Sequence, residues 1–161
     1  MDSIFLKVKK GLEFLLVTIF IILVIDVVWQ VIARYAQISS GFTEELSRFL
    51  LIWLTALATA YSRSYKGQMA IDFLFNKFQP KTQFYLSLFI EIIIAAFALV
   101  VMIIGGINLV HITLKLGQFS PSLNMPMGVV YSIVPISGIL IVFFSLHHLK
   151  SYFSNTTIQK I

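Results

Sequence analysis

The chain has 161 residues, of which 58% are apolar and only 12% are charged, and its formal charge is +5. Soluble domains carry about 25% charged residues, so the composition excludes an ordinary soluble domain and favours membrane-spanning helices. The absence of cysteine excludes disulfides, thiolate metal sites and thiol redox chemistry. In such a chain the excess of Lys and Arg indicates orientation and headgroup contact and not nucleic-acid binding.

Four apolar stretches predict an all-α integral membrane protein with four transmembrane helices in a single membrane domain. A span needs about 20 apolar residues, and the third stretch is longer, so it should tilt or project from the membrane. The first stretch lacks the short apolar core and the cleavage site of a secretory signal, so we expect an uncleaved span. The predicted spans are about 12–35, 44–64, 81–116 and 126–150.

Two predicted spans contain a carboxylate. Asp26 lies in the first span, with Gln30 one turn further on, and Glu91 lies in the third span. A charge at the centre of a span costs about 2.5–3.5 kcal/mol on insertion scales, so each one requires a partner. Either residue could be an ion or proton site, or a polar contact to a neighbouring helix or subunit. An isolated carboxylate brings no coordination shell, and we therefore favour the helix contact for both.

The second predicted span begins with the sequence GFTEELSRFLLIW. Thr43 is expected to cap a helix that starts at Glu44, and Glu44 or Glu45 can pair with Arg48 one turn later. Either glutamate could also pair with Arg34, at the end of the first span, and fix the short turn between the two spans. The cluster is a candidate structural clamp or a surface for docking a partner, and it consists of Arg34, Glu44, Glu45, Arg48 and Trp53.

The connection between the second and third spans predicts a short amphipathic helix at about residues 68–79. Its apolar residues recur at spacings of three and four, and polar residues fall on another face. The segment is too short to span and should lie in the cytoplasmic interface; the alternative is a frayed connector with accidental periodicity. The residues assigned to this helix are Ile71, Asp72, Leu74, Phe75 and Phe78.

The distribution of Lys and Arg predicts that both termini face the cytoplasm. Nine of these residues fall in the two termini and in the connection between spans two and three: Lys7, Lys9, Lys10, Arg63, Lys66, Lys77, Lys81, Lys150 and Lys160. The opposite side has only Arg34, Arg48 and Lys115, all at helix ends.

The histidines do not predict a haem site. His111 is expected near the outer face, whereas His147 and His148 are expected near the inner face, so they cannot approach one iron from two sides. We expect each of them at a membrane interface, with its polar tip towards water. The sequence contains no phosphate loop, zinc motif or nucleophile–base pair, and we expect no catalytic residue, metal or cofactor.

Four segments in order resemble the small, Q-type membrane subunit of tripartite ATP-independent periplasmic (TRAP) transporters. They are WQVIARY, FTEELSRFLLIWLTALATA, GQMAIDFLF and SPSLNMPMGVVYSIVPISG, and the resemblance covers nearly the whole chain. Two positions depart from the family pattern: Gln68 stands where a histidine is usual, and Ala58 stands where a glycine is common.

The resemblance implies a scaffold subunit, not an enzyme, in a bacterial inner membrane. It would brace a large permease subunit that carries the substrate and sodium sites, while a periplasmic substrate-binding protein delivers a carboxylate of the dicarboxylate or sialic acid type. The outer surface of the small subunit would help to dock that protein, and lipid would cover the remaining apolar faces. The alternatives are a self-sufficient homodimeric exporter that works through Asp26, and a membrane enzyme or electron carrier.

Overall fold

The computed structural model describes residues 2–38, 40–65 and 80–158, and nearly all of them are helical. A helix satisfies its backbone hydrogen bonds internally, which apolar surroundings require. In chain order the helices are α1 (Asp2–Tyr35), α2 (Gly41–Ser62), α3 (Pro80–Phe97), a π-helical segment (Ala98–Gly105), α4 (Gly106–Lys115), α5 (Met127–Tyr131) and α6 (Ile133–Ile158). From α3 to α4 the helical segments follow one another without a break.

Within the described ranges, three stretches are long and apolar enough to cross a membrane. They are Ser3–Tyr35, Tyr85–Lys115 and Met127–Lys150, with mean hydropathies of 2.7, 2.9 and 2.3. The helix α2 has 22 residues, but its first two turns contain two glutamates and an arginine, which lower its hydropathy. The all-helical membrane class is therefore confirmed with three candidate spans, and the crossing of α2 remains a prediction.

The predicted interfacial helix at residues 68–79 lies outside the described residues. This segment includes all five residues that were assigned to that helix, namely Ile71, Asp72, Leu74, Phe75 and Phe78.

The two central helices of the bundle are α2 and α6. One core cluster joins α1, α2 and α6 through Leu12, Ile19, Leu57, Ile133 and Phe144. A smaller cluster on the other side of α2 and α6 includes Ala98 of the π-helical segment. The apolar stretch of α6 is accordingly 39% buried, whereas those of α1 and of Tyr85–Lys115 are each only 11% buried. The outer faces of these two flanking helices are left exposed.

A close approach brings the π-helical segment and α4 against α6. A Cβ atom at Gly106 would lie 2.9 Å from Cδ of Pro135, and one at Gly138 would lie 2.8 Å from Cβ of Met102. Glycine removes the side chain at both crossing points, so the two backbones pack directly. Pro135 has no N–H for the preceding turn, and the boundary between α5 and α6 at Ser132 lies one turn before it.

The bundle has two ends, which we name after residues in the turns. At the Ser40 end, α1 and α4 finish, and α2 and α5 begin. At the Arg63 end, α1 begins and α2 finishes, and the C-terminal part of α6 lies beside the start of α1. There the Phe5 ring stacks on the His147 ring with centroids 4.2 Å apart, and the Lys9 ammonium lies 3.7 Å from the centre of the Tyr65 ring.

Candidate functional site

Polar contacts in the described residues gather in three groups that tie helices together. The loop clamp joins Glu45 of α2 to the loop between α4 and α5. The Gln30 bridge joins α1 to α2, part-way between the bundle's centre and the Ser40 end. The Arg63 network joins the end of α2 to α3 and α6. The partners in each group decide what chemistry that group can perform.

The loop clamp uses one carboxylate oxygen to hold three donors. Oε2 of Glu45 accepts the Ser120 hydroxyl and the backbone N–H groups of Ser122 and Leu123, the latter two at 3.0 Å each. The loop also closes on itself, because the Met127 N–H donates to the Gln118 carbonyl at 2.9 Å. Glu45 therefore fixes a folded loop against the first turns of α2.

The environment of Glu45 favours its charged form. Three donors converge on its carboxylate: the Ser120 hydroxyl and the backbone N–H groups of Ser122 and Leu123. Hydrogen bonds to an ionised acceptor are shorter and stronger than those between neutral groups. The hydrogen bonds of Glu45 are thus used to hold the loop.

Glu44, unlike Glu45, points towards the surface. Its Oε1 lies 2.6 Å from an Arg48 guanidinium nitrogen, and both side chains are more than half exposed. In the part of the chain that the structure describes, no ion pair joins Arg34 to either glutamate, so the alternative pairing with Arg34 is not observed.

The start of α2 differs from the expected cap. The helix begins at Gly41 with Ser40 as its N-cap residue, and the Glu44 N–H donates to the Ser40 carbonyl at 3.2 Å. Thr43 lies inside the first turn, and its hydroxyl donates to the same carbonyl at 2.8 Å. The prediction that Thr43 caps a helix from Glu44 is therefore wrong, because the chain turns helical nearly one turn earlier.

The Gln30 bridge accounts for Asp26. The Gln30 amide nitrogen donates to the Asp26 carboxylate at 3.0 Å, to the Thr43 carbonyl at 3.0 Å and to the Ser47 hydroxyl at 2.7 Å. Asp26 is buried, and its contact to α2 passes through Gln30. The arrangement is a hydrogen-bonded contact between α1 and α2 that contains one carboxylate.

Trp53 links α2 to the α5 region. Its indole N–H donates to the Val130 carbonyl at 3.1 Å, close to the boundary between α5 and α6. The body of the side chain packs on the core cluster of α1, α2 and α6. Trp53 is therefore engaged inside the bundle and is not a free anchor on its surface.

The Arg63 network is the most buried group of charges in the described residues. The Arg63 guanidinium donates to Oε2 of Glu91 and, at 3.2 Å, to the Ser145 hydroxyl. Nδ1 of His148 lies 3.3 Å from the other oxygen of Glu91. Arg63, Glu91 and His148 are 7%, 6% and 2% exposed, so the charges need each other in order to remain inside the protein.

One expectation fails at this network. His148 is expected at a membrane interface with its polar tip towards water, but its side chain is buried. The side chain of Arg63, which the sequence places in the connection between spans two and three, is buried as well. The reason is that α3 begins beyond the end of α2. Its first residue is Pro80, and Glu91, about three turns further on, is the residue that lies level with the end of α2. The requirement that an intramembrane carboxylate finds a partner was the signal that pointed here, but it did not identify Arg63.

The three groups together consist of hydrogen bonds and ion pairs between helices and with one loop. Across residues 2–38, 40–65 and 80–158, no three His, Cys, Asp or Glu side chains are placed to hold a metal ion. Glu91 accepts hydrogen bonds that join helices, and Glu45 accepts those that anchor the loop. What the geometry does is fix the positions of α2, α6 and the loop relative to one another.

The similar proteins are all components of one family of transporters. The family described as "Tripartite ATP-independent periplasmic transporters, DctQ component" matches residues 21–155. The "Putative TRAP transporter small permease protein" of Haemophilus influenzae is 31% identical over 135 residues, which cover 83% of this chain and 82% of that protein. The "Isethionate TRAP transporter permease protein DctMQ" of Oleidesulfovibrio alaskensis is 25% identical over 96 residues, which cover 60% of this chain and 15% of that protein.

The family match includes all three polar groups, from Asp26 to His148, and confirms the resemblance seen in the sequence. The function of this family is transport, which is not an enzymatic activity. The chain is a multi-pass membrane protein and belongs to the DctQ component family of the tripartite ATP-independent periplasmic transporters, as a TRAP transporter small permease subunit.

Proposed function

We propose that this subunit is a scaffold that braces a large permease subunit during sodium-driven import of an organic anion. The observation that carries the proposal is that the loop clamp, the Gln30 bridge and the Arg63 network each hold helices or a loop in place. At the same time, the apolar stretches of α1 and of Tyr85–Lys115 are each only 11% buried. A rigid body with long uncovered apolar faces is suited to packing against another membrane protein and against lipid.

The partner that we propose is a large TRAP permease. A relative whose printed name is DctMQ contains a segment similar to this chain in 15% of its length, which supports a partnership between a Q-type segment and a larger permease. The large subunit would carry the substrate and sodium sites. A substrate-binding protein would approach the Ser40 end, where Arg34 is exposed and the loop is held by Glu45.

The proposed substrate class rests on the family resemblance alone. We propose a carboxylate, of the dicarboxylate or sialic acid type, while the relative from Oleidesulfovibrio alaskensis is named for isethionate, which is a sulfonate. Both classes are organic anions. Because we propose that the large permease and the binding protein hold the substrate, the choice between the two classes would be made in those partner proteins.

In the membrane we propose four crossings, with α2 as the second, in the inner membrane of a bacterium. The Arg63 end would face the cytoplasm, because most Lys and Arg residues of the sequence belong to that side. The Ser40 end would then face the periplasm. The segment 68–79 would lie as an amphipathic helix in the cytoplasmic interface and resist tipping of the scaffold while the partner moves.

The homodimeric exporter is not favoured. It requires Asp26 as an exchangeable ion or proton site, whereas the Asp26 carboxylate accepts a hydrogen bond from Gln30, which in turn holds α2. An exporter carboxylate would have to release such a contact in every cycle.

Co-expression tests the scaffold proposal. A tagged chain, produced with the large permease of the same genome, should retain the permease through purification in mild detergent. Uptake of a radiolabelled dicarboxylate or sialic acid into vesicles should require this chain, the permease, the binding protein and a sodium gradient. Isolation of the chain as a homodimer without the permease, with transport that is lost in Asp26→Asn, would favour the exporter instead.

A further inference from the structure

An open groove lies at the Ser40 end, between the first turns of α2 and the loop after α4. Its volume is about 480 Å³, within the range of about 300–1,000 Å³ that is usual for sites of small ligands. Phe49 and Ile52 line it on the α2 side, and Phe119 and Met127 line it on the other side. Arg48 also lines the groove, next to Phe49.

The apolar wall of the groove is open to its surroundings. The Phe119 side chain is 57% exposed, although the backbone around it is held in place by the bridge between Phe119 and Pro126. The loop clamp secures the same loop through Glu45. A fixed loop that presents an uncovered phenylalanine beside an apolar helix face is suited to an acyl chain and not to a polar solute.

The depth of the groove indicates where the rest of the ligand would lie. The apolar stretches that end in Tyr35 and Lys115, and the one that begins at Met127, all terminate at this end of the bundle. Arg48 therefore lies near the level of the lipid headgroups, and Ile52 lies about 6 Å further along the helix by its rise of about 1.5 Å per residue. A lipid would place its headgroup at Arg48 and one acyl chain along Phe49 and Ile52.

The charges at the rim select the type of headgroup. Arg48 carries one positive charge, while Glu44 is paired with it and Glu45 lies in the groove wall. One cation against two carboxylates disfavours a lipid with net negative charge. An adjacent cation and anion, both more than half exposed, complement a headgroup that contains both a phosphate and an ammonium.

We propose that the groove binds a zwitterionic phospholipid with a primary ammonium, of the phosphatidylethanolamine type. The lipid phosphate contacts the Arg48 guanidinium, the ammonium donates to the Glu44 carboxylate, and one acyl chain fills the groove between Phe49 and Phe119. The proposal does not depend on which substrate the transporter carries. It also does not require the chain to function as a scaffold.

Lipid retention in the purified complex tests this site. The chain would be purified in mild detergent with its co-expressed permease and supplied with dioleoyl phosphatidylethanolamine, phosphatidylcholine or phosphatidylglycerol, and bound lipid would be counted by native mass spectrometry. We expect phosphatidylethanolamine to be retained best, because the quaternary ammonium of phosphatidylcholine cannot donate a hydrogen bond. Stronger retention of phosphatidylglycerol would overturn the proposal.

Two loop variants provide a matched pair. Phe119→Ser removes the groove wall, whereas Leu116→Ser changes a somewhat more exposed apolar residue of the same loop that does not line the groove. Phosphatidylethanolamine retention should fall about tenfold in Phe119→Ser, which corresponds to one step of about 1.4 kcal/mol, and should not change in Leu116→Ser. Equal effects in the two variants would show that the groove is not the site.

The headgroup contact and the occupant are tested separately. Glu44→Gln should remove the preference for phosphatidylethanolamine over phosphatidylcholine without loss of the acyl chain contact. A benzophenone amino acid in place of Phe49 should cross-link to phospholipid in the assembled complex. A cross-link to the large permease polypeptide would show that a protein segment fills the groove, and would overturn the lipid assignment whether or not transport is intact.

Discussion

At the scale of single residues, Arg48 within α2 and Arg63 at its end differ in how much their ion pairs matter for stability. The Arg48–Glu44 pair is exposed, and such surface pairs contribute about 0.2–1 kcal/mol. The Arg63–Glu91 pair is buried together with Ser145, and removal of one partner from such a pair costs about 3–5 kcal/mol. The difference comes from desolvation, since an unpaired buried charge has no water to replace its partner.

A double-mutant cycle should separate the two components of the buried pair. Arg63→Met and Glu91→Met should each lower the free energy of unfolding by about 3–5 kcal/mol, while the double variant should recover most of that loss because no unpaired charge remains. The measurement is SDS-induced unfolding in mixed micelles, followed by tryptophan fluorescence. The control is Arg48→Met, which should change stability by less than about 1 kcal/mol.

If the losses in the two single variants simply add in the double variant, Arg63 and Glu91 do not stabilise each other. The strength of the network would then come from Ser145 and His148, which contact Arg63 and Glu91 respectively.

At the scale of elements, the loop between α4 and α5 depends on one residue of α2. The loop contains Gly117 with φ of 60° and Asn124 with φ of 50°, a left-handed conformation that glycine and asparagine adopt at the lowest cost. These two positions let the chain reverse within a few residues. Glu45 then fixes the reversed chain against α2, so a helix start and a distant loop form one structural unit.

Glu45→Gln should loosen this unit, whereas the neighbouring Glu44→Gln should not. Glutamine keeps an acceptor but loses the charge, and hydrogen bonds to charged groups contribute about 1.5–3 kcal/mol each. The readout is the fluorescence of Trp53, whose indole N–H is bonded at the α5 boundary, in a Trp29→Phe background during thermal unfolding. Equal unfolding midpoints in the two glutamine variants would contradict the clamp.

How far the sequence predicts these elements and contacts depends on how many residues separate the two partners along the chain. The helices follow from local apolar length, and the Glu44–Arg48 pair follows from a spacing of four residues. The contacts of Glu45 lie 75 to 78 residues away, and Arg63 is 82 residues from Ser145. No periodicity encodes which helix faces which, so the loop clamp and the Arg63 network appear only once the helices are packed.

At the scale of the whole molecule, burial is unequal between the helices. In the apolar stretch of α5 and α6, 39% of the residues are buried, against 11% in each of the flanking stretches, so the flanking helices present more of their surface outwards. The polar contacts lie near the two ends of the bundle and just below the Ser40 end, and the middle is held by apolar packing. Such an arrangement resists shear between helices, which suits a stationary partner of a moving permease.

The same arrangement makes a definite prediction for the path of α2 through the membrane. Because α2 bonds to α1 through Gln30 and to α3 and α6 through Arg63, its two ends should lie on opposite sides of the membrane. The chain has no native cysteine, so single cysteines can be introduced directly, and no native cysteine has to be removed first. Ala36→Cys, in the turn between α1 and α2, and Ser62→Cys, at the last residue of α2, report on the two ends.

In intact cells with a permeable outer membrane, a membrane-impermeant maleimide should label Ala36→Cys but not Ser62→Cys, and both should react after the inner membrane is opened. Gln118→Cys, in the exposed loop after α4, should follow Ala36→Cys, and Ser3→Cys should follow Ser62→Cys, because these residues share the Ser40 end and the Arg63 end. If Ala36→Cys and Ser62→Cys react alike in intact cells, α2 does not cross. If Ser62→Cys and Ser3→Cys are labelled in intact cells while Ala36→Cys and Gln118→Cys are not, α2 crosses in the opposite direction and the charge-based orientation is wrong.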